Sequence, residues 1–200
     1  MCARYFLEES PELRPYVEKM NRSPLLCMFA GAQVVTSGEV RPGDVSPVLA
    51  MNRKGESAVF PMRWGFHAKT LLINARCETA AMKPTFAESW ALRRCVIPAS
   101  WYYKWEHLTD GRGRIKTGDK YLLRSDDSEG IWMCGLYRME KGLPHYVILT
   151  REAGESIRFI HDRMPLILPG NAVKDWIRPD GKPDEILAAA RTEPKFQRAV

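Results

Sequence analysis

No stretch of 18 consecutive apolar residues occurs in the 200-residue chain, so its sequence supplies no membrane-spanning helix. Close metal-ligand pairs are missing too. The five cysteines (2, 27, 77, 95 and 134) form no CxxC, and the four histidines (67, 107, 145 and 161) are scattered. Zinc sites draw on closely spaced pairs, so no metal and no cofactor are expected. MCARYFLEES lacks an apolar run behind its positive charge and does not read as a secretory signal. With an odd number of widely spaced cysteines, this predicts reduced thiols and a cytoplasmic protein, nucleoid-associated if bacterial. Repeats, low-complexity tracts and Pro/Gly/Ser linkers are also absent, which predicts one domain over residues 1–200. Lys+Arg exceed Asp+Glu by 30 to 24, a modest net charge of +6 that permits a polyanionic partner without demanding one.

What is present reads mostly as strands. VSPVLAMNR and SAVFPMRWGF flank a turn at Arg53–Lys54–Gly55, and RCVIPASWYYKWEH reads as one continuous strand. KYLLRS, IWMCGLYRM and HYVILT follow a segment, TDGRGRIKTGDK, whose composition predicts a loop. Helices are expected in SPELRPYVEKMNR, with Ser10 as cap and Pro11 at its first position, and in TFAESWALRR, with Thr85 and Glu88 as a capping box. NAVKDWI and DEILAAARTE read as short terminal helices. Strands on hairpin-length connections with segregated helices predict an α+β fold on a largely antiparallel sheet, and the lack of βαβ alternation argues against a Rossmann fold.

Cys2 is the most informative residue. Removal of Met1 leaves one carbon framework bearing a free α-amine and a thiol, with ordinary pKa values of about 7.7–8.0 and about 8.5. Such an aminothiol condenses with an aldehyde: the amine forms an imine, the thiol adds to it, and a five-membered thiazolidine closes. It could equally act as a nucleophile towards an amide. Elsewhere, INARCET sets Asn74, Arg76 and Glu78 at alternate positions, on one side of an extended chain. Arg63 adjoins Trp64. WYYKWEH alternates Trp101, Tyr103 and Trp105 with Tyr102, Lys104 and Glu106, and HDRMPLIL joins His161 to Arg163. Arginines interleaved with tryptophans suit single-stranded nucleic acid, one supplying charge for phosphate and the other flat rings for bases.

In order along the chain, MCAR, RPG (41–43), RWGF (63–66), INARCET (73–79), RRCVIPASWYYKWE (93–106), LT (149–150) and IHDRMPLIL (160–168) resemble the SRAP family. These are the SOS-response-associated peptidases, which include abasic-site sensors that crosslink to DNA. The resemblance implies a bent antiparallel sheet forming a pseudo-barrel with peripheral short helices. It also implies single-stranded DNA bearing abasic sites as the partner of a monomer. Cys2 would be the nucleophile that ends as a thiazolidine, Asn74 the residue positioning the Cys2 backbone and the sugar, and His161 the acid/base. Arg4, Arg76 and Arg163 would contact phosphates, with Arg63 beside them in the DNA-binding set. Pro42 and Trp64 would form an apolar wedge against flanking bases. The family's peptidase name implies that Cys2 also excises residues preceding it.

One position departs. The family carries a glutamate before the tryptophan, where YYKW places Lys104. An ammonium can donate a proton to the sugar oxygen there if burial lowers its pKa; alternatively it acts as an amine nucleophile, or Glu106 substitutes. Two other functions remain open on the residues: a cysteine peptidase or amidase using Cys2 and His161, and a catalytically weakened single-strand binder.

Overall fold

In VSPVLAM and RCVIPA almost every side chain is buried, as happens when both faces of a strand are covered. The computed structural model, which describes residues 2–111, 113–125 and 130–199, shows what covers them. The described strands are β1 (Tyr5–Leu7), β2 (Gly38–Val40), β3 (Val45–Met51), β4 (Ser57–Trp64), β5 (Asn74–Arg76), β6 (Arg94–Ala99), β7 (Trp101–Thr109), β8 (Ile115–Arg124), β9 (Ile131–Glu140), β10 (Leu143–Glu152), β11 (Arg163–Pro165), β12 (Ile167–Leu168) and β13 (Lys195–Arg198). The helices are α1 (Arg14–Asn21), α2 (Cys77–Ala80), α3 (Pro84–Leu92), α4 (Val173–Ile177) and α5 (Pro183–Leu187).

Strands pair in the order β10–β4–β3–β6–β9, and β9 pairs again with β10, closing a five-stranded barrel. Strands β5, β11 and β12 extend it. A second sheet runs β13–β8–β7–β1–β2. Pairings are antiparallel except those of β10 with β4 and β5. One set of alternate side chains (Val48, Met62, Trp64, Ile97, Met133, Ile148) packs with Tyr5, Tyr102 and Leu123 of the second sheet. The opposite set (Leu49, Val96, Cys134, Leu136, Val147) packs under the helices, against Met20, Phe86 and Trp176. The expected α+β class and barrel stand.

Several local expectations are corrected. RCVIPASWYYKWEH is two strands in different sheets. The break falls at Ser100, whose N–H donates to Phe6 C=O at 2.8 Å while its hydroxyl accepts from the N–H of Glu8 at 2.8 Å. INARCET is extended only as far as Arg76; Cys77–Ala80 turns helical, which takes Glu78 off the face of Asn74 and Arg76. The second half of TDGRGRIKTGDK, from Ile115, belongs to strand β8, because ladder pairing with β7 outweighs composition there. The Ser10 hydroxyl accepts the N–H of Leu13 at 3.3 Å in the turn that leads into α1, which itself starts at Arg14, whereas the expected Thr85 cap does not form because α3 starts at Pro84. DEILAAARTE is helical only to Leu187, and β13 follows it.

Candidate functional site

The first residues are held by an extension of strand pairing. β1 faces β7 through Tyr5 and Tyr102, and the N–H of Tyr103 donates to Arg4 C=O at 3.0 Å. This lays residues 2–4 beside the stretch that carries Lys104. Cys2 is fully buried. Its carbonyl accepts a hydrogen bond from Asn74 Nδ2 at 2.8 Å, and its thiol points to Arg4 C=O at 3.9 Å. Parallel pairing of β5 with β10, at Asn74 and Ile148, fixes Asn74 in place. The other amide atom, Asn74 Oδ1, is buried with no hydrogen-bond partner among the described residues.

The alternation read in WYYKWEH holds: Tyr102 and Lys104 turn inward, while Trp101, Tyr103 and Trp105 stay half-exposed. Lys104 is 2% exposed, and its Nζ has no hydrogen-bond partner among the described residues. Burial pushes the lysine below its ordinary pKa, opposed by the nearby Cys2. Burial likewise raises the Cys2 thiol, opposed by Lys104. Burial thus eases proton loss from the Lys104 ammonium and holds the proton on the Cys2 thiol. His161 is also buried and falls well below its ordinary pKa, through burial and then the charge of Lys104, so its ring is neutral at pH 7. Its Nδ1 accepts the N–H of Arg163 at 3.0 Å and lies 2.7 Å from Asp162 Oδ1. The His107 ring lies over that of His161, centroids 4.0 Å apart.

The expected phosphate contacts lie in different settings. Arg4 pairs with Glu39, which also binds Arg41 at 2.9 Å and Lys120 at 3.7 Å. Lys120 lies over Tyr103 and Trp105, so basic and aromatic side chains do interleave on this half-exposed face. Arg163 is gripped by Glu78 through two 2.8 Å bonds and donates to Thr150 C=O at 2.8 Å. Arg76 is exposed and lines a shallow pocket of about 260 Å³ with Glu152, Arg158, Asp162 and Arg163. Arg63, at the end of β4, is half-buried. Pro42 is half-exposed at the first corner of a turn from Arg41 to Asp44, whose second corner, Gly43 at φ +95°, needs a glycine.

Trp64 is the clear correction. It is fully buried, its indole N–H donates to Ile73 C=O at 2.9 Å, and its ring packs against Tyr5 and Tyr146. A ring enclosed in this way has no free face for a base, so Trp64 supports the site from within. Beneath the Cys2 segment, the hydroxyls of Tyr5, Ser46 and Tyr146 bond to one another at 2.7–3.0 Å. Sequence reasoning missed this triad, and also Glu39 and Glu78. The triad joins three distant strands and leaves no local pattern. Glu39, two residues before Arg41 on an extended segment, was open to a period-two reading.

Two trios bring possible metal donors within 4.8 Å of one another: His67, Glu140 and His145, and His107, His161 and Asp162. Arg138 already binds Glu140 at 2.7 Å, and His161 Nδ1 already accepts a backbone N–H, so neither trio is a free donor set.

A family model described as SOS response associated peptidase (SRAP) matches residues 1–198. The chain belongs to the SRAP family. It is 32% identical over 173 residues to abasic site processing protein YoaM of Bacillus subtilis, covering 78% of this chain and 74% of that one. To abasic site processing protein YedK of Escherichia coli it is 31% identical over 172 residues, covering 79% and 72%. A solved protein from Bacteroides thetaiotaomicron superposes with a TM-score of 0.74 at 18% identity, covering 98% of this chain and 91% of that one. That likeness concerns the SRAP fold alone.

Proposed function

We propose that this SRAP protein senses abasic sites in single-stranded DNA and captures them covalently through Cys2 once Met1 has been removed. The observation that carries the proposal is the enclosure of Cys2: Asn74 clamps its carbonyl, while Lys104 bears both on the buried thiol and on His161. An abasic sugar exists mainly as a closed ring, so capture begins with ring opening. Neutral His161 takes the proton of the C1′ hydroxyl, and the Lys104 ammonium gives one to the ring oxygen. Asn74 Oδ1, buried without a partner, is available to accept a sugar hydroxyl. The Cys2 amine then attacks the C1′ aldehyde and water leaves, giving an imine. The sulfur adds to the imine carbon as the thiol proton passes to nitrogen, and the thiazolidine closes. In this reading Arg4, Arg76 and Arg163 meet phosphates, Arg4 and Arg163 sharing them with Glu39 and Glu78, and the half-exposed Tyr103–Trp105 face meets bases. A monomer acting at the cytoplasmic nucleoid is the setting that fits this substrate.

Self-processing by the same thiol, implied by the family's peptidase name, needs the imidazole to take the thiol proton. The thiol is turned to the Arg4 carbonyl instead, which favours DNA capture as the main reading. The test is denaturing electrophoresis of Met1-free protein mixed with single-stranded DNA bearing one abasic site. A heat-stable adduct that disappears in Cys2→Ser is expected. A stable adduct of equal yield from Cys2→Ser, or none from the native protein in excess, overturns the proposal.

A further inference from the structure

We propose that Lys104 is a second carbonyl nucleophile of this pocket, forming its own imine with the abasic aldehyde and cleaving the DNA strand by β-elimination. The inference rests on the abasic-site reading and adds a second outcome at the same site. Lys104 is 2% exposed on the inward side of β7, and its Nζ is without a hydrogen-bond partner among the described residues. A buried lysine kept for structure ordinarily has its charge answered by a carboxylate. Glu106, two residues along the same strand, sits in the irregularity between Trp105 and His107, next to Gly118, where a Cβ would come within 2.7 Å of Glu106 Oε2. The amine therefore stands near Cys2, His161 and, farther along, the Asp162 carboxylate, with no acid hydrogen-bonded to it among the described residues. Burial disfavours its charged form, the condition under which lysines act as imine-forming nucleophiles.

Ring opening itself prepares the nucleophile. When the Lys104 ammonium protonates the ring oxygen, it becomes a neutral amine beside the aldehyde it has just released. Its lone pair forms the N–C1′ bond, the His161 imidazolium returns the proton it took in ring opening so that the carbonyl oxygen departs as water, and a protonated imine and a neutral His161 remain. A C2′ proton passes to the neutral His161 ring, and the C–H electron pair moves into an enamine. That pair then forms the C2′=C3′ double bond as the C3′–O bond breaks. The phosphate leaves as the terminal phosphate of the downstream strand. Water hydrolyses the imine, restoring Lys104 and freeing an unsaturated aldehyde on the upstream strand. The sequence is redox-neutral, and the water consumed equals the water released. In the native protein, sulfur addition at Cys2 competes with this route and holds the strand intact.

The experiment traps imines with borohydride on single-stranded DNA carrying one abasic site, then digests the protein and maps the modified peptide by mass spectrometry. Native protein, Cys2→Ala and Cys2→Ala/Lys104→Met are compared, with strand cleavage measured in parallel. Cys2→Ala keeps an N-terminal amine, so the mapped position rather than trapping alone decides. Expected are a reduced adduct on Lys104 and cleavage by Cys2→Ala that falls at least tenfold in the double variant. Adducts confined to the N-terminal peptide, or cleavage unchanged by Lys104→Met, overturn the inference even where native protein forms its stable crosslink. Absence of any adduct from the native protein overturns the abasic-site reading as well.

Discussion

Asn74→Ala isolates the link between backbone position and chemistry. Asn74 Nδ2 donates to Cys2 C=O at 2.8 Å; Cys2 is fully buried and Asn74 half-buried. A neutral hydrogen bond of this kind contributes about 0.5–1.5 kcal/mol net. If that energy holds the aminothiol in its reactive place, its loss slows capture by about 2- to 13-fold, at roughly 1.36 kcal/mol per factor of ten. Asn74→Asp is worse, because a carboxylate then faces the carbonyl oxygen. Repulsion between the two oxygens adds to the lost bond and brings the cost up to about 3 kcal/mol, near 150-fold. Single-turnover crosslinking to abasic single-stranded DNA measures the rate. Affinity for an analogue lacking the aldehyde and the melting temperature are measured alongside. The ordering native > Asn74→Ala > Asn74→Asp in rate, with little change in melting, is expected. An Asn74→Ala rate within twofold of native, in a protein that folds and binds normally, refutes the positioning argument.

Trp64→Ala should act through stability: losing a fully buried tryptophan costs about 3–5 kcal/mol, visible as a marked drop in melting temperature. A native-like melting point with weakened DNA binding would restore Trp64 as a surface wedge. If Arg4, Arg76 and Arg163 each meet a phosphate, the log–log salt slope is near −2 for single strands, at roughly −0.7 per contact. Arg76→Ala, at the exposed position, should flatten it by about 0.7; an unchanged slope would remove Arg76 from the DNA path. His161 sits below its ordinary pKa, so its neutral form is the one the fold favours. The stability it confers is complete above about pH 6.5 and is lost as pH falls below that value towards the folded pKa. Native protein should therefore lose more melting temperature than His161→Gln between pH 7 and pH 5, and equal losses would contradict this.

Period-two alternation was readable wherever one strand face is wet and the other dry, as in Trp101–Trp105, where inward Lys104 follows from the same pattern that exposes Tyr103. It failed at Ser100, because a change of sheet is decided by Phe6 and Glu8, which lie more than ninety residues earlier. The same limit explains Trp64. Arg63–Trp64 looks identical in sequence whether the ring faces solvent or core, and the choice is made by Tyr5, Ile73 and Tyr146 from three other segments. Glu78 illustrates a third case. Its pairing with Arg163 required INARCET to leave the extended state after Arg76, and that turn carries Glu78 across to β11. The Arg163 guanidinium holds the Glu78 carboxyl below the usual carboxylate range, so the arginine reaches the pocket already bound to an acid. A phosphate arriving at Arg163 must therefore share it with Glu78, whereas exposed Arg76 meets the backbone without displacing a bidentate partner. The positions that bring acid, amine and thiol together belong to tertiary structure, while the local sequence names which groups are available to be brought.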